Sequence, residues 1–520
     1  MTIIDPTLGD VRQDSGGGRR VPHVRVAIIG AGFSGLGMAV RLLKSKEDDF
    51  LIFERAGEVG GTWRDNTYPG AECDVAALLY SFSFAQRNNW QSTYGKQPEL
   101  RRYLNEVADD FGIRPYIRFR HELVSARWDE TVRRWHIETS QGDYTANVLV
   151  TGSGYLSDPV VPNIPGIEGF KGKIFHSSTW DHDYDLKGKR VAVIGTGASA
   201  LQFVPKIQPE VGQLDLYQRT AAWVAPKNDK TNGKFRQFLF NNVPGYRAFR
   251  RGYNQKGREI LAAILARPAI AEKTVQNMFV KNLKSIKDEE LRTKLTPDFT
   301  IGCKRMLFSN TYYPALQQPN VDLITDGIAE VRENSVVTAD GKVREVDAII
   351  LGTGFAATER PVAKRVWNDK GGSLAEAWAD GGMAAYKGTT VAGFPNLFML
   401  LGPNTTLGHS SQTVMIEAQV AYVIDALKEM DKRGLASVSV HEDAQTTYNE
   451  MVQERLKTTV WNAGQCASWY LDAHGRNPSI WPGLTSQFRK QLKKFDVSAY
   501  QITTLTNAEY AGRAGSEIRG

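Results

Sequence analysis

The feature that most restricts this chain is a strand that runs straight into a glycine turn. Arg25–Ile29 (R-V-A-I-I) is an apolar run of the kind required of a strand buried on both faces of a parallel sheet. It leads into G-A-G-F-S-G (Gly30–Gly35), then a helix-period segment to about Leu43, then a second strand, Phe50–Phe53, ending at Glu54. Gly30, Gly32 and Gly35 permit the tight turn, the close approach of backbone to a pyrophosphate and the packing of helix on strand. The helix N-terminus supplies N–H donors to the phosphates. Glu54 lies 19 residues after Gly35, where an acid can bind ribose hydroxyls. Together these features describe a dinucleotide-binding βαβ unit.

The pattern occurs twice. Arg190–Ile194 (R-V-A-V-I) enters G-T-G-A-S-A (Gly195–Ala200), followed by a helical stretch and a strand expected at Leu214–Gln218. At the same interval of 19 residues the second copy has Arg219, beside Thr220, instead of an acid. A carboxylate would repel a 2′-phosphate, whereas a guanidinium can bind it bidentately. The first unit is therefore expected to hold FAD and the second NADPH. Gly30, Gly32, Phe33, Ser34, Gly35 and Glu54 are assigned to the first site, and Gly195, Thr196, Gly197, Ala198, Ser199, Arg219 and Thr220 to the second. The fold class that follows is α/β, with two Rossmann-like dinucleotide-binding domains.

Two further segments, L-V-T-G-S-G (Leu149–Gly154) and I-L-G-T-G-F (Ile350–Phe355), each close an apolar strand with a glycine-rich crossing. They mark where the chain passes between nucleotide domains. Between them, residues 230–298 are rich in Phe, Leu, Arg and Lys at helical spacing, as in Gly257–Ala266, and are read as a helical insertion. Pro98–Phe111 is expected to be a helix burying Leu100, Leu104, Val107 and Phe111. The resulting division is an FAD domain over 1–157 (1–20 flexible) and 376–520, an NADPH domain over 158–229 and 299–375, and the helical subdomain over 230–298.

Such a division suits 520 residues, more than one core usually organises. With 42% hydrophobic and 23% charged residues the composition is that of a globular protein. The net charge of +7 is scattered without long like-charge runs, which argues against nucleic acid as a partner. The N-terminus has no signal-peptide pattern, and no apolar run approaches the ~20 residues needed to span a bilayer, so no membrane insertion is expected. Cys73, Cys303 and Cys466 are far apart and include no C-x-x-C pair. That spacing is read as excluding a disulfide framework, a zinc site and a dithiol centre, and as favouring a reducing, cytoplasmic location.

Chemistry is expected where G-G-T-W-R-D-N-T-Y-P-G-A-E-C-D (60–74) turns at Tyr68-Pro69-Gly70 to present Asp74, and where C-K-R-M (303–306) sets Lys304 beside Arg305. Reduced flavin forms an oxygen adduct at C4a, and a permanently charged Arg can stabilise the peroxide anion while a carboxylate orients it.

The run F-x-G-x-x-x-H-x-x-x-W-D (Phe170, Gly172, His176, Trp180, Asp181) resembles the fingerprint of type I Baeyer–Villiger monooxygenases. Gly60-Gly61-x-Trp63 with Tyr68-Pro69-Gly70 and Asp74 resembles a second fingerprint of that family. The resemblance implies an NADPH- and O2-dependent flavoprotein that inserts one oxygen beside the carbonyl of a small apolar ketone, giving an ester or lactone, through a C4a-peroxyflavin. It makes Arg305 the catalytic arginine and Asp74 its orienting acid. Lys304 and Arg219, with Thr220 beside it, become 2′-phosphate contacts, and Trp469 a contact to the nicotinamide nucleotide. Asn404 and Thr405 fall near the flavin, and His409 has no assignable role. The FAD set extends to Gly61, Thr62, Trp63, Tyr68, Tyr80 and Val124. Oxygenation of sulfides or amines is the alternative activity, and a non-enzymatic redox sensor a third reading. Phe170–Trp180 is read as a connector that couples domain movement to cofactor exchange. His176 is kept out of the chemical step.

Overall fold

The structure, a computed structural model, describes residues 21–506 apart from 358, 359, 465, 467, 469 and 473. Two sheets organise it. The larger runs in the order Val366–Trp367, Leu123–Asp129, Arg134–Thr139, Gly142–Thr151, His23–Ile29, Phe50–Glu54, Ile117–Phe119, with Leu397–Met399 pairing onto Gly142–Thr151. The smaller is wholly parallel, in the order Val321–Ile324, Gln213–Tyr217, Arg190–Ile194, Ala348–Leu351, Lys173–His176. The two apolar runs singled out in the sequence are strands near the middle of these sheets. Val26, Ala27, Ile28, Val191, Ala192 and Val193 are fully buried, as a strand covered on both faces must be.

His23–Ile29 has parallel neighbours on both sides, Phe50–Glu54 and Gly142–Thr151. Arg190–Ile194 is likewise flanked by Gln213–Tyr217 and Ala348–Leu351. Each is a point where strand order reverses, so a crevice opens beyond its C-terminal end. The helix Phe33–Lys44 follows the first glycine turn and Ala198–Ile207 the second. The two crossings close against these turns: Gly152 N–H donates to the Ile29 carbonyl (2.8 Å) and Gly352 N–H to the Ile194 carbonyl (2.8 Å).

Gln97–Asp110 is helical and buries Leu100, Leu104 and Val107 completely. Helices Lys234–Asn242, Tyr246–Leu265, Pro268–Ala271, Asn277–Leu283 and Glu289–Lys294 lie within the expected helical insertion. The Gly257–Ala266 stripe turns Ala262 and Leu265 into the core but leaves Ile260 exposed. Near the C-terminal end, Gln412–Arg433 packs against Phe33–Lys44 and Leu397–Met399 rejoins the larger sheet. Among the described residues no helix is long and apolar enough to cross a membrane.

Three expectations need correction. The chain re-enters the larger sheet before residue 376, since Val366–Trp367 already pairs with Leu123–Asp129. The stretch read as a connector is part of the smaller sheet: Lys173–His176 is its edge strand, in register with Ala348–Leu351. Even the preceding Pro-rich segment is fastened to the second crossing, through Val160 N–H to the Gly354 carbonyl (2.9 Å). Finally, Cys303 and Cys466 form a disulfide across 163 residues. Separation in sequence does not limit approach in space, and here Gly464 brings the two strands of chain together: a β-carbon on it would lie 2.6 Å from Cys303 Cβ. The spacing argument for a reducing compartment therefore falls.

Candidate active site

The first crevice is built around the first glycine turn. Gly30 has φ +97°, and a β-carbon there would lie 2.9 Å from the Gly152 carbonyl oxygen; on Gly35 it would lie 1.9 Å from the Gly30 carbonyl oxygen. Only glycine gives the crevice this floor, bare backbone at the start of a helix, which fits a pyrophosphate. Gly32, Ser34, Gly61 and Thr62 also line it, while Gly35 serves helix packing. Glu54 is 4% exposed, and its carboxylate accepts from Ala31 N–H (2.8 Å), Ala56 N–H (3.0 Å) and Arg64 Nη1 (2.8 Å). A carboxylate offers about four acceptor positions, so Glu54 braces the turn and retains capacity for a ribose hydroxyl. One wall is aromatic: Tyr80 meets Phe33 edge-on at 5.1 Å and Trp63 at 5.8 Å, and Trp63 Nε1 donates to the Tyr80 hydroxyl (3.1 Å). Val124 does not line this crevice. Alternation along Leu123–Asp129 turns Val124 outward, 47% exposed, and leaves Leu123 at the lining.

The strand Glu72–Ala76 alternates too. Cys73 and Val75 point into the core, and Glu72 and Asp74 share the opposite face. Glu72 pairs with the buried Lys227 (2.7 Å) and Asp74 with Arg305, whose Nη2 and Nε donate to Asp74 Oδ2 at 2.7 and 3.1 Å. Both bonds use one carboxylate oxygen, which leaves Nη1 of Arg305 for another group. Burial pushes the Asp74 carboxyl up, but Arg305, then Arg258 and Lys227, outweigh it and hold the pKa below the usual carboxylate value. Asp74 in turn raises the Arg305 guanidinium against the effect of burial, so the cation is permanent. Arg258, on the helix Tyr246–Leu265, donates to the carbonyls of Asp74 (3.2 Å) and His409 (3.3 Å) and so ties the helical insertion to this pair.

The second crevice repeats the floor of the first. Gly195 has φ +105°, and a β-carbon on it would lie 2.5 Å from the Gly352 carbonyl oxygen. Gly197, Ala198 and Ser199 open the helix behind it, and Thr196 Oγ1 donates to the Thr220 carbonyl (3.3 Å). Arg219 is exposed, and its charge, after burial, is the main influence lowering the Lys304 pKa. Two cations close enough to oppose each other could bind a dianionic phosphate. Tyr68, expected at the FAD site, is not among the residues that line the first crevice: its hydroxyl donates to Gln202 Oε1 (3.0 Å) on the helix Ala198–Ile207, and Gly70, at φ +83°, lets the same turn approach the Gln202 carbonyl.

The fingerprint residues pack around the edge strand. Phe170 is buried, and Gly172 passes where a β-carbon would strike the Asp347 carbonyl oxygen at 2.5 Å. His176 is 4% exposed; its Nδ1 accepts from Ser178 N–H (3.1 Å), and its ring meets Phe355 edge-on at 5.6 Å. Burial lowers its pKa, so the ring is neutral. Trp180 packs on Phe175 and Phe203, and Asp181 pairs with Lys173 (2.5 Å). Asn404 is buried and donates to the carbonyls of Asn477 and Ile480, and Thr405 to that of Gly402. His409 is buried beside Trp461, its pKa lowered to about 4 by burial. Trp469 lies outside the described residues.

Several site residues carry no sequence signal. Lys227, Arg258 and Arg360 sit in segments without a motif, and only the fold brings them to the site. Tyr155, which follows the first crossing, could have been marked by that position. Its phenol lines the first crevice and feels both Arg305 and Arg360.

Residues 23–362 match the flavin-binding monooxygenase-like family. A Baeyer-Villiger monooxygenase of Streptomyces coelicolor is 49% identical over 500 residues, covering 96% of each chain. One from Pseudomonas aeruginosa is 49% identical over 503 residues, covering 96% of this chain and 95% of its own. Among solved structures, cyclohexanone monooxygenase from Rhodococcus sp. Phi1 bound to NADP+ superposes with a TM-score of 0.83 at 27% identity, covering 93% of this chain and 99% of that one. A steroid monooxygenase bound to NADP gives 0.81 at 30% identity, covering 93% and 100%. OTEMO in complex with FAD and NADP gives 0.83 at 26% identity, also covering 93% and 100%.

Proposed function

This chain belongs to the flavin-binding monooxygenase-like family, and from that premise we propose that it oxidises a ketone to an ester or lactone with FAD, NADPH and O2. The name shared by relatives 49% identical over nearly the whole chain supports the reaction class. The observation that carries the mechanism is the half-buried ion pair of Asp74 with Arg305. Arg305 follows Lys304, whose charge opposes Arg219 at the second crevice, and it acts on Tyr155, which lines the first.

Bound FAD, once reduced by NADPH, supplies the centre where O2 is activated. Glu54 and the turn at Gly30 would hold its ribose and pyrophosphate, and Arg219 with Lys304 would hold the 2′-phosphate of NADPH. Arg305 would present a fixed cation, in a half-buried setting, to the negative charge that this chemistry develops on oxygen. Asp74 fixes the guanidinium plane through two hydrogen bonds and leaves Nη1 available.

The test is Arg305→Ala. Ester formation, followed by product mass over linear, cyclic and arylalkyl ketones, should fall by about 10²- to 10³-fold, the usual cost of removing one anion-stabilising donor. Flavin reduction by NADPH, read by stopped flow, should persist. Ester formation at the parental rate would overturn the role given to Arg305. NADPH consumption by the parent yielding only hydrogen peroxide across the panel would overturn the reaction.

A further inference from the structure

The first crevice holds a second cation, Arg360, that the Asp74–Arg305 pair does not account for. Arg360 is 6% exposed and lines the crevice together with Tyr155, Leu401 and Gln412. Its Nη1 donates to the Leu401 carbonyl and its Nη2 to the Gly402 carbonyl (3.3 Å), while the buried Nε–H has no acceptor among the described residues. No carboxylate pairs with it among the described residues. Burial draws its pKa down to about 10, with the Tyr155 phenol opposing, so it is still charged at neutral pH. A buried charge held only by neutral carbonyls is costly unless an anion completes the site. Its position says which anion. Gln412 and Thr413 line the crevice beside it, and Thr413 Oγ1 donates to the Leu79 carbonyl (2.9 Å), on the segment that follows the strand carrying Asp74, so Arg360 lies on the side of the crevice toward the catalytic pair.

We propose that Arg360 binds the negative charge of reduced FAD at the N1–C2=O edge of its isoalloxazine ring. This rests on the reading of the first crevice as the FAD site. Hydride transfer from NADPH moves two electrons and one proton to flavin N5 and leaves NADP+. The reduced ring, with no proton added at N1, carries one negative charge at that edge. Arg360 stabilises this form over the neutral oxidised ring, so it raises the reduction potential and keeps N1 ionised. The flavin diphosphate is the other anion of the same nucleotide, and the measurements separate the two.

Arg360→Gln keeps an N–H donor on the side chain but removes the charge; Arg360→Lys keeps the charge. In the FAD-loaded Arg360→Gln protein the reduction equilibrium should shift at least tenfold toward the oxidised form, about 30 mV for a two-electron couple. The N1 pKa of the reduced flavin, from anaerobic spectrophotometric titration, should rise by about one unit, the same tenfold factor. Arg360→Lys should lie closer to the parent in both. FAD affinity, read by flavin fluorescence, should change by less than a few-fold. Loss of FAD affinity with an unchanged potential would move the anion to the diphosphate and overturn the assignment to the ring. Unchanged potential and affinity in a protein with the parental melting curve would reduce Arg360 to a brace for Leu401 and Gly402. All of these readouts come from the flavin itself, so a parent that oxidises no ketone would sink the proposed reaction and leave this inference standing.

Discussion

Asp74 and Arg305 stand 231 positions apart in the chain and 2.7 Å apart in space. Each is an ordinary charged residue in sequence, and what marked them was their setting, a Y-P-G turn before one and a neighbouring lysine before the other. Arg360 had no such setting, because E-R-P-V is no motif and the carbonyls that hold its guanidinium come from Leu401 and Gly402, some forty residues further on. The pair also fixes a pH dependence. A carboxylate whose pKa is depressed by folding contributes above its unfolded value, about 3.9, and the contribution is lost as pH falls through the folded value. Asp74 is depressed by Arg305, so this pair should produce no titration in kcat/KM for the ketone between pH 5 and 9. An acid limb near pH 6 that vanishes in Asp74→Asn would contradict it. Asp74→Asn should lower kcat/KM by about 10²-fold through misplacement of Arg305, with reduction of the flavin by NADPH preserved.

At the scale of elements, the strands at Arg25–Ile29 and Arg190–Ile194 were legible because a run apolar on both faces ends at an obligatory glycine turn. The edge strand Lys173–His176 was not. Four residues with a polar first position, following a Pro-rich stretch, look like a linker, and their sheet partner Ala348–Leu351 lies far along the chain. The role of His176 changes with that placement: it terminates an edge strand and holds the following turn, through Ser178 N–H, against Phe355 of the second crossing. His176→Ala would leave that buried N–H without its acceptor, at a cost of about 1–3 kcal/mol. The expected outcome is a lower melting temperature and a higher KM for NADPH, with FAD content and dithionite reduction unchanged. A variant with parental melting and parental KM would show that the edge strand does not depend on the imidazole.

At the scale of the whole molecule, the sequence suggested two nucleotide modules with a helical insertion, but not what ties the modules to the segments that cross between them. Such ties join residues that share no local pattern, as Tyr68 does with Gln202 and Arg258 with Asp74. The Cys303–Cys466 disulfide is the covalent instance. It anchors the loop that carries Lys304 and Arg305 to the segment that leads to Tyr470, whose phenol acts on Arg305. Closing a loop of 163 residues removes about 5 kcal/mol of chain entropy from the unfolded state in the loop-closure account. The remaining thiol, Cys73, is buried and its pKa is pushed up to about 12, so it should not react in the native protein. Of three cysteines, thiol titration should therefore detect none in the native protein, one after denaturation, and all three only after denaturation with reductant. Three thiols in denatured, unreduced protein would show that the bond does not form. Where it does form, Cys466→Ser, which leaves the residue beside Lys304 unaltered, should lower the melting temperature and raise the KM for NADPH, because the loop then pays its ordering entropy at each binding event. Reductant should have the same effect on the parent and none on the variant.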